Sequence, residues 1–243
     1  VEVAQHAVVE MESERLRNAL LAAISHDVRT PLTALIALSE SLSALPVEAH
    51  AEAAAAIVAQ ARQLHALVNN LLDMARLETG GGAVNLQRDW QSVEEVVGSA
   101  IRAAGPSLAG WSVETALDAD LPLVEFDAVL MERVLVNLLE NARKYGAAPI
   151  LLGATVTPQA LVLTVRDDGP GLPAALVGQE QMLFEKFTRG QPESATPGVG
   201  LGLAICKAIV EAHGGTIAAT NATGHGALFT VTLPRRAPPA IEA

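Results

Sequence analysis

The sequence predicts a two-part fold, an all-helical hairpin followed by an α/β sandwich, and three observations carry that prediction. From Leu21 onward the apolar residues Ile24, Val28, Leu35, Leu38, Leu42 and Leu45 alternate in steps of three and four, with Pro31 on the one missing beat. This is the period of a helix seam buried in a bundle. The same beat returns in Ile57, Ala61, Leu64, Val68, Leu71 and Ala75. Gly80, Gly81 and Gly82 then interrupt it, and beyond them strand and helix signals alternate.

Taken in order, Glu2 to Leu45 reads as one long helix ended by Pro46, its polar first turns (Glu10, Glu12, Glu14, Arg15, Arg17) serving as a connector from a preceding segment. A second helix runs through Glu78. Two seam-bearing helices joined by a short turn cannot bury both stripes within one chain, so a homodimer forming a four-helix bundle is expected. Past the glycines come a strand from Ala83 to Trp90, a helix from Val93 to Ala104 capped by Ser92, and short strands at Trp111 to Thr115 and Leu123 to Phe126. Asp127 caps a helix reaching about Lys144. Leu151 to Thr157 and Leu161 to Asp167 form a hairpin around Pro158, a last helix spans Leu201 to His213, and strands follow at Thr216 to Thr220 and Ala227 to Leu233. The division is therefore 1–80 for the helical part and 83–236 for a sandwich with its helices on one face, leaving 237–243 as a disordered, proline-containing tail.

Composition narrows the function. A chain of 243 residues with 50% hydrophobic content can fill two ordinary cores. A net charge of −11 disfavours nucleic acid as a partner. The single cysteine, Cys206, excludes an internal disulfide and fits a reducing compartment, and its apolar helix predicts a buried, inert thiol. The longest uncharged run, Tyr145 to Val165, contains Pro149, Gly153 and Pro158 and reads as a hairpin rather than a membrane span. Val1 in place of Met, followed by a charged helical stretch without a cap, leads us to expect a piece of a longer protein.

Two clusters carry chemistry. With Leu21 opening a heptad, His26 falls farthest from the seam and turns its imidazole to solvent. Asp27 stands beside it, Thr30 lies four residues on, and Pro31 removes the amide that would bond the Asp27 carbonyl, so a bend is expected after the histidine. A carboxylate next to an imidazole can orient the ring and take its proton, leaving the other nitrogen to attack an electrophile.

The second cluster begins on the helix after Asp127. Its buried stripe is Met131, Leu135, Leu138 and Ala142, while Arg133, Asn137, Asn141 and Lys144 recur on the other side. Two asparagines one turn apart are unusual on a solvated face, and their carbonyl oxygens suit a hard cation such as Mg²⁺ bridging substrate phosphates. Asp167, Asp168, Gly169, Pro170 and Gly171 follow a strand directly; the glycines let backbone approach a ligand, and a carboxylate at a strand end can accept from an exocyclic amine such as that of adenine. Gly198, Gly200 and Gly202 precede the last helix, whose N-terminus suits an anion. The cluster lacks the Lys-Ser/Thr of a P-loop, and its spacing is not that of a dinucleotide fingerprint.

The run SHDVRTPL resembles the phosphoacceptor box of bacterial sensor histidine kinases. NLLENARKYG, DDGPG, LFEKFTRG and GVGLGLA resemble the boxes of the ATP-binding domain those kinases share with gyrases, Hsp90-type chaperones and MutL-type repair proteins. Within the kinases, VNNLLDMARLETGG and ESATPGVGLGLAICKAIVEAHGGTI resemble the potassium-responsive Kdp branch. The resemblance implies a dimerisation and histidine phosphotransfer domain at 1–80 and a catalytic, ATP-binding domain at 83–236. It implies that His26 accepts phosphate with Asp27 and Thr30 around it, and that Asn137 and Asn141 hold Mg²⁺ and phosphates. Lys144 and Arg189 would neutralise phosphate oxygens, Tyr145 and Phe187 belong to the ATP site, and Asp167 with Gly169 and Gly171 would receive adenine. Gly198, Gly200 and Gly202 would close a lid over the triphosphate. A response regulator is the implied partner, and an inner-membrane sensor the implied parent, this piece being cytoplasmic. Hydrolases of the superfamily usually carry a glutamate one turn before the metal asparagine; Asn137 stands there and cannot act as a base, which favours transfer to a protein. An ATPase or chaperone of the same superfamily, and a non-catalytic dimerisation scaffold, are the alternatives.

Overall fold

The computed structural model describes residues 28–79, 86–185 and 201–236. The chain falls into two compact units, one reaching Leu72 and the other starting at Asp73. In the first, a helix α1 covers 28–41 of the described residues and is followed by α2, His50–Thr79, whose last turns from Asp73 belong with the second. The long first helix expected to reach Leu45 stops short. A 3-10 turn occupies Leu42–Ala44, and the Ser41 hydroxyl donates to Leu38 O at 3.0 Å, a back-bond that competes with the helical ladder. A ring nitrogen of His50 then meets Leu45 O at 3.0 Å, fixing the turn into α2.

The second unit holds a five-stranded mixed sheet in the order β2-β4-β5-β7-β6, with β2 at Val113–Leu117, β4 Ile150–Val156, β5 Ala160–Arg166, β6 Thr216–Asn221 and β7 Ala227–Pro234. A separate two-stranded antiparallel ribbon pairs β1 (Asp89–Gln91) with β3 (Val124–Phe126). The strand expected from Ala83 to Trp90 thus begins only at Asp89, because β3 offers just three residues to pair with; 83–85 lie outside the described residues. The strand expected at Trp111 to Thr115 is displaced to Val113–Leu117, where it runs parallel to β4.

Helices α3 (Val93–Ala104), α4 (Ala128–Tyr145) and α5 (Gly202–Ala212) complete the unit, with α4 and α5 packed on the sheet and α3 on α4. The caps behave as the sequence predicts: Ser92 Oγ accepts from Glu95 N at 3.2 Å, and Asp127 Oδ1 from Leu130 N at 3.1 Å. Strand β5 alternates strictly, with Leu161, Leu163 and Val165 inward, and meets a core of Phe126, Met131, Leu135, Leu138, Ile205 and Ile209, each at most 1% exposed. Each such side chain contributes roughly 1.5–3 kcal/mol by leaving water. That rigid core holds α4 and α5 in place.

Candidate functional site

Helix α4 is the spine of the site. Met131, Val134, Leu135, Leu138, Leu139 and Ala142 are buried, whereas Asn137, Asn141 and Lys144 stay partly exposed on the other side. Asn137 and Asn141 are one turn apart, and the helix carries the row on to Gly146, roughly 13 Å from Asn137 at 1.5 Å per residue. Asn137 lies under the start of α5: a β-carbon on Gly202 would stand 3.9 Å from both its Oδ1 and its Cγ. Its Nδ2 is buried with no hydrogen-bond partner among the described residues. The Cys206 sulfur stands beside this amide, which favours its thiolate, and lies 3.8 Å from Val134 O. Burial pushes the Cys206 thiol up to about 12, so the expected inert cysteine is found.

At the far end of α4, the chain leaving β5 comes back against it. Asp167 is 4% exposed and its Oδ1 accepts from Gly169 N at 2.8 Å and Ala227 N at 3.4 Å. Among the described residues Oδ2 takes no bond. Gly146 faces this carboxylate so closely that a β-carbon would overlap Asp167 Cγ, and one on Gly169 would come within 2.5 Å of Gly146 Cα. The contact is pinned by Asp168 N donating to Ala147 O at 3.0 Å. The adjacent acids therefore differ in kind: Asp168 points outward to Arg166, 3.2 Å away on the surface. Tyr145 is 55% exposed, with the Lys144 ammonium 5.1 Å above its ring centre.

Of the residues singled out by sequence, Asn137, Asn141, Lys144, Tyr145, Asp167, Gly169, Gly171 and Gly202 all fall in this one unit, Asn137 beside Gly202 and Asp167 beside Gly169. Thr30 is exposed on α1. His26, Asp27, Phe187, Arg189, Gly198 and Gly200 lie outside the described residues, as does the tail at 237–243. Helix α5 starts with no side-chain cap at Leu201, which leaves its first amides to other acceptors.

Two supporting side chains escaped sequence reasoning. His213, at the end of α5, is 3% exposed; its Nδ1 donates to Ile209 O at 2.8 Å and its Nε2 accepts from Asp127 N at 3.0 Å, which defines a neutral ring. Burial pushes its pKa below the ordinary histidine value, with Ile209 O pulling the other way. Asp127 meanwhile receives Gln87 N at 2.9 Å, and Arg88 donates to Ala212 O at 2.9 Å, so the chain before β1 is tied to one end of both α4 and α5. Asn221, at the end of β6, accepts from Leu172 N at 2.7 Å. A histidine ahead of two glycines at a helix end was the available signal for the first; nothing in the sequence flagged the second.

Comparison with known proteins places these features. Residues 16–80 match the His Kinase A (phospho-acceptor) domain, and residues 126–237 match the histidine kinase-, DNA gyrase B-, and HSP90-like ATPase family. The chain is similar to the sensor protein KdpD of Escherichia coli strain K12, with 50% identity over 98% of this chain and 26% of that protein. It spans about a quarter of the curated relatives it matches first. Among solved structures it resembles the Acinetobacter baumannii histidine kinase AdeS, with a TM-score of 0.67 and 26% identity over 87% of this chain and 98% of that one. It also resembles full-length ShkA in complex with AMPPNP, with a TM-score of 0.64 and 27% identity over 90% of this chain and 46% of that one.

Proposed function

We propose, from the premise that this chain belongs to the sensor histidine kinases, that ATP held by the sandwich phosphorylates His26 and that the phosphoryl group then passes to an aspartate of a response regulator. The observation that carries the reading is the part-exposed side of α4, on which Asn137, Asn141 and Lys144 lead from the start of α5 to the buried Asp167. Adenine fits the Asp167 end, where Oδ2 is available to accept from an exocyclic amine and where glycines let the turn close against the end of α4 and hold that carboxylate. The triphosphate fits the Asn137 end, beside the uncapped first turn of α5. An AMPPNP complex of the similar ShkA supports nucleotide binding as such.

Magnesium fits the same residues. Among the described residues no cluster of three His, Cys, Asp or Glu could hold a metal alone. A hard cation would therefore rest on the amide oxygens of Asn137 and Asn141 together with the substrate's phosphates, a donor set Mg²⁺ accepts. Bound there, it would neutralise phosphate charge.

For the transfer itself, a nitrogen of His26 attacks the γ-phosphorus, Asp27 holds the ring and takes its proton, and ADP departs. Lys144 and Arg189 screen the phosphate oxygens, Phe187 and Tyr145 border the nucleotide, and Gly198 and Gly200 lend backbone for closing over it. Asp27 and Thr30 also align water for removing phosphate from the regulator. Asn137 offers no base for hydrolysis, which disfavours the ATPase or chaperone alternative. A dimer would cover the exposed Leu32, Ile36, Val58 and Val68 of the hairpin, which are 41–51% exposed in the single chain. The domain limits 1–80 and 83–236 follow from this reading, as do a potassium-responsive parent anchored in the inner membrane and a cytoplasmic place for this piece; no helix among the described residues is long and apolar enough to cross a membrane. The test is transfer: after labelling with γ-labelled ATP, added response regulator should acquire the label while the kinase loses it. An acid-stable label that never leaves the kinase would contradict the proposal.

A further inference from the structure

We infer that Asn221, a polar residue at the end of β6 with no part in the kinase motifs, is a positioning residue for adenine recognition; this rests on the reading of Asp167 as the adenine acceptor. Within its own turn Asp167 is held by Gly169 N, and on the α4 side by the Asp168 N to Ala147 O bond at 3.0 Å. It sits just past β5, in a turn containing two glycines, and a turn of that kind needs outside partners to keep one conformation. The end of the β6–β7 hairpin supplies them. Ala227 N donates to Asp167 Oδ1 at 3.4 Å and Ala227 O accepts from Asp167 N at 3.0 Å, extending the sheet by one residue pair. Gly226, at φ +87°, lies so close to Asp167 O that any side chain there would displace it. Ala222 N donates to Gly226 O at 2.9 Å and closes the hairpin end.

The far side of the glycine turn is held by a side chain. Asn221 Oδ1 accepts from Leu172 N at the short distance of 2.7 Å, across 49 residues of sequence. The same oxygen would lie 2.5 Å from a β-carbon on Gly171, whose φ of +81° already selects glycine. Asn221 thus grips bare backbone at Gly171 and Leu172, while Ala227 grips Asp167, and Gly169 N, between them, donates to the carboxylate at 2.8 Å. Removing the amide frees one end of the turn that aims Oδ2. The loss should fall on discrimination of the base more than on the fold.

The experiment compares binding of Mg-ATP and Mg-ITP, which lacks the exocyclic amine, by calorimetry on the full chain. The parent should prefer ATP. In Asn221→Ala the ATP/ITP preference should shrink about fivefold, the factor expected for one lost hydrogen bond. Asn221→Asp, which keeps an acceptor of the same shape, should restore the preference even if both nucleotides bind more weakly. Hydrogen exchange should show the Leu172 amide protected in the parent and fast in Asn221→Ala. A parent-like preference in Asn221→Ala, alongside a collapsed preference in Asp167→Asn, overturns the role of Asn221 and leaves Asp167 as the acceptor. An unchanged preference in Asp167→Asn overturns the adenine reading and this proposal with it.

Discussion

The helical hairpin and the sandwich treat their apolar residues in opposite ways. In the sandwich, α4 alone buries Met131, Val134, Leu135, Leu138, Leu139 and Ala142, and the sheet closes over them. In the hairpin, among residues whose side chains are described, only Pro31 and Ala53 are buried, while Leu32 and Ile36 stand exposed beside the predicted seam. A finished core fixes the side chains it carries; apolar side chains left in water are the ones a partner would cover. The contrast between a buried stripe on α4 and exposed apolar side chains on the hairpin is what the two compositions encode.

Stability of the sandwich offers ways to break that contrast. The largest loss should follow Leu138→Ala, about 3–4 kcal/mol in denaturant unfolding, since the cavity cannot collapse between α4 and the sheet. Asp127→Ala should cost about 2 kcal/mol by removing the α4 cap and the acceptor for Gln87 N together. His213 should make stability depend on pH. Its folded pKa is pushed below the free value, so unfolding takes up a proton between the two; stability is complete above the unfolded pKa of about 6.5 and falls as pH drops through it. The slope, read from unfolding free energies between pH 5 and pH 8, should flatten in His213→Gln. The smallest effect on the sandwich, within about 0.5 kcal/mol, should come from Leu32→Lys with Ile36→Lys, although sedimentation should then find a monomer in place of a dimer.

Much of the fold was legible because it is local. Period, caps and turn residues located α3, α4, α5 and the β4–β5 hairpin within a residue or two, and Ser92 and Asp127 cap as read. Pairing is not local. Nothing in Val113–Leu117 says that it lies parallel to β4, nor in Asp89–Gln91 that it leaves the main sheet for β3. The candidate site followed the same rule. Spacing alone put Asn137 and Asn141 one turn apart on a helix and Asp167 just past a strand end, as the structure has them. Asn221 and His213 serve backbone atoms that only the folded chain brings within reach, at Leu172 and Asp127.

Mg-ATP binding and phosphate labelling, measured on the same samples of His26→Gln and Asn141→Ala, test the division between acceptor histidine and nucleotide site most directly. His26→Gln should bind nucleotide like the parent yet take no label, and Asn141→Ala should lose binding and label together. Labelled His26→Gln, or Asn141→Ala that binds Mg-ATP as the parent does, would contradict it.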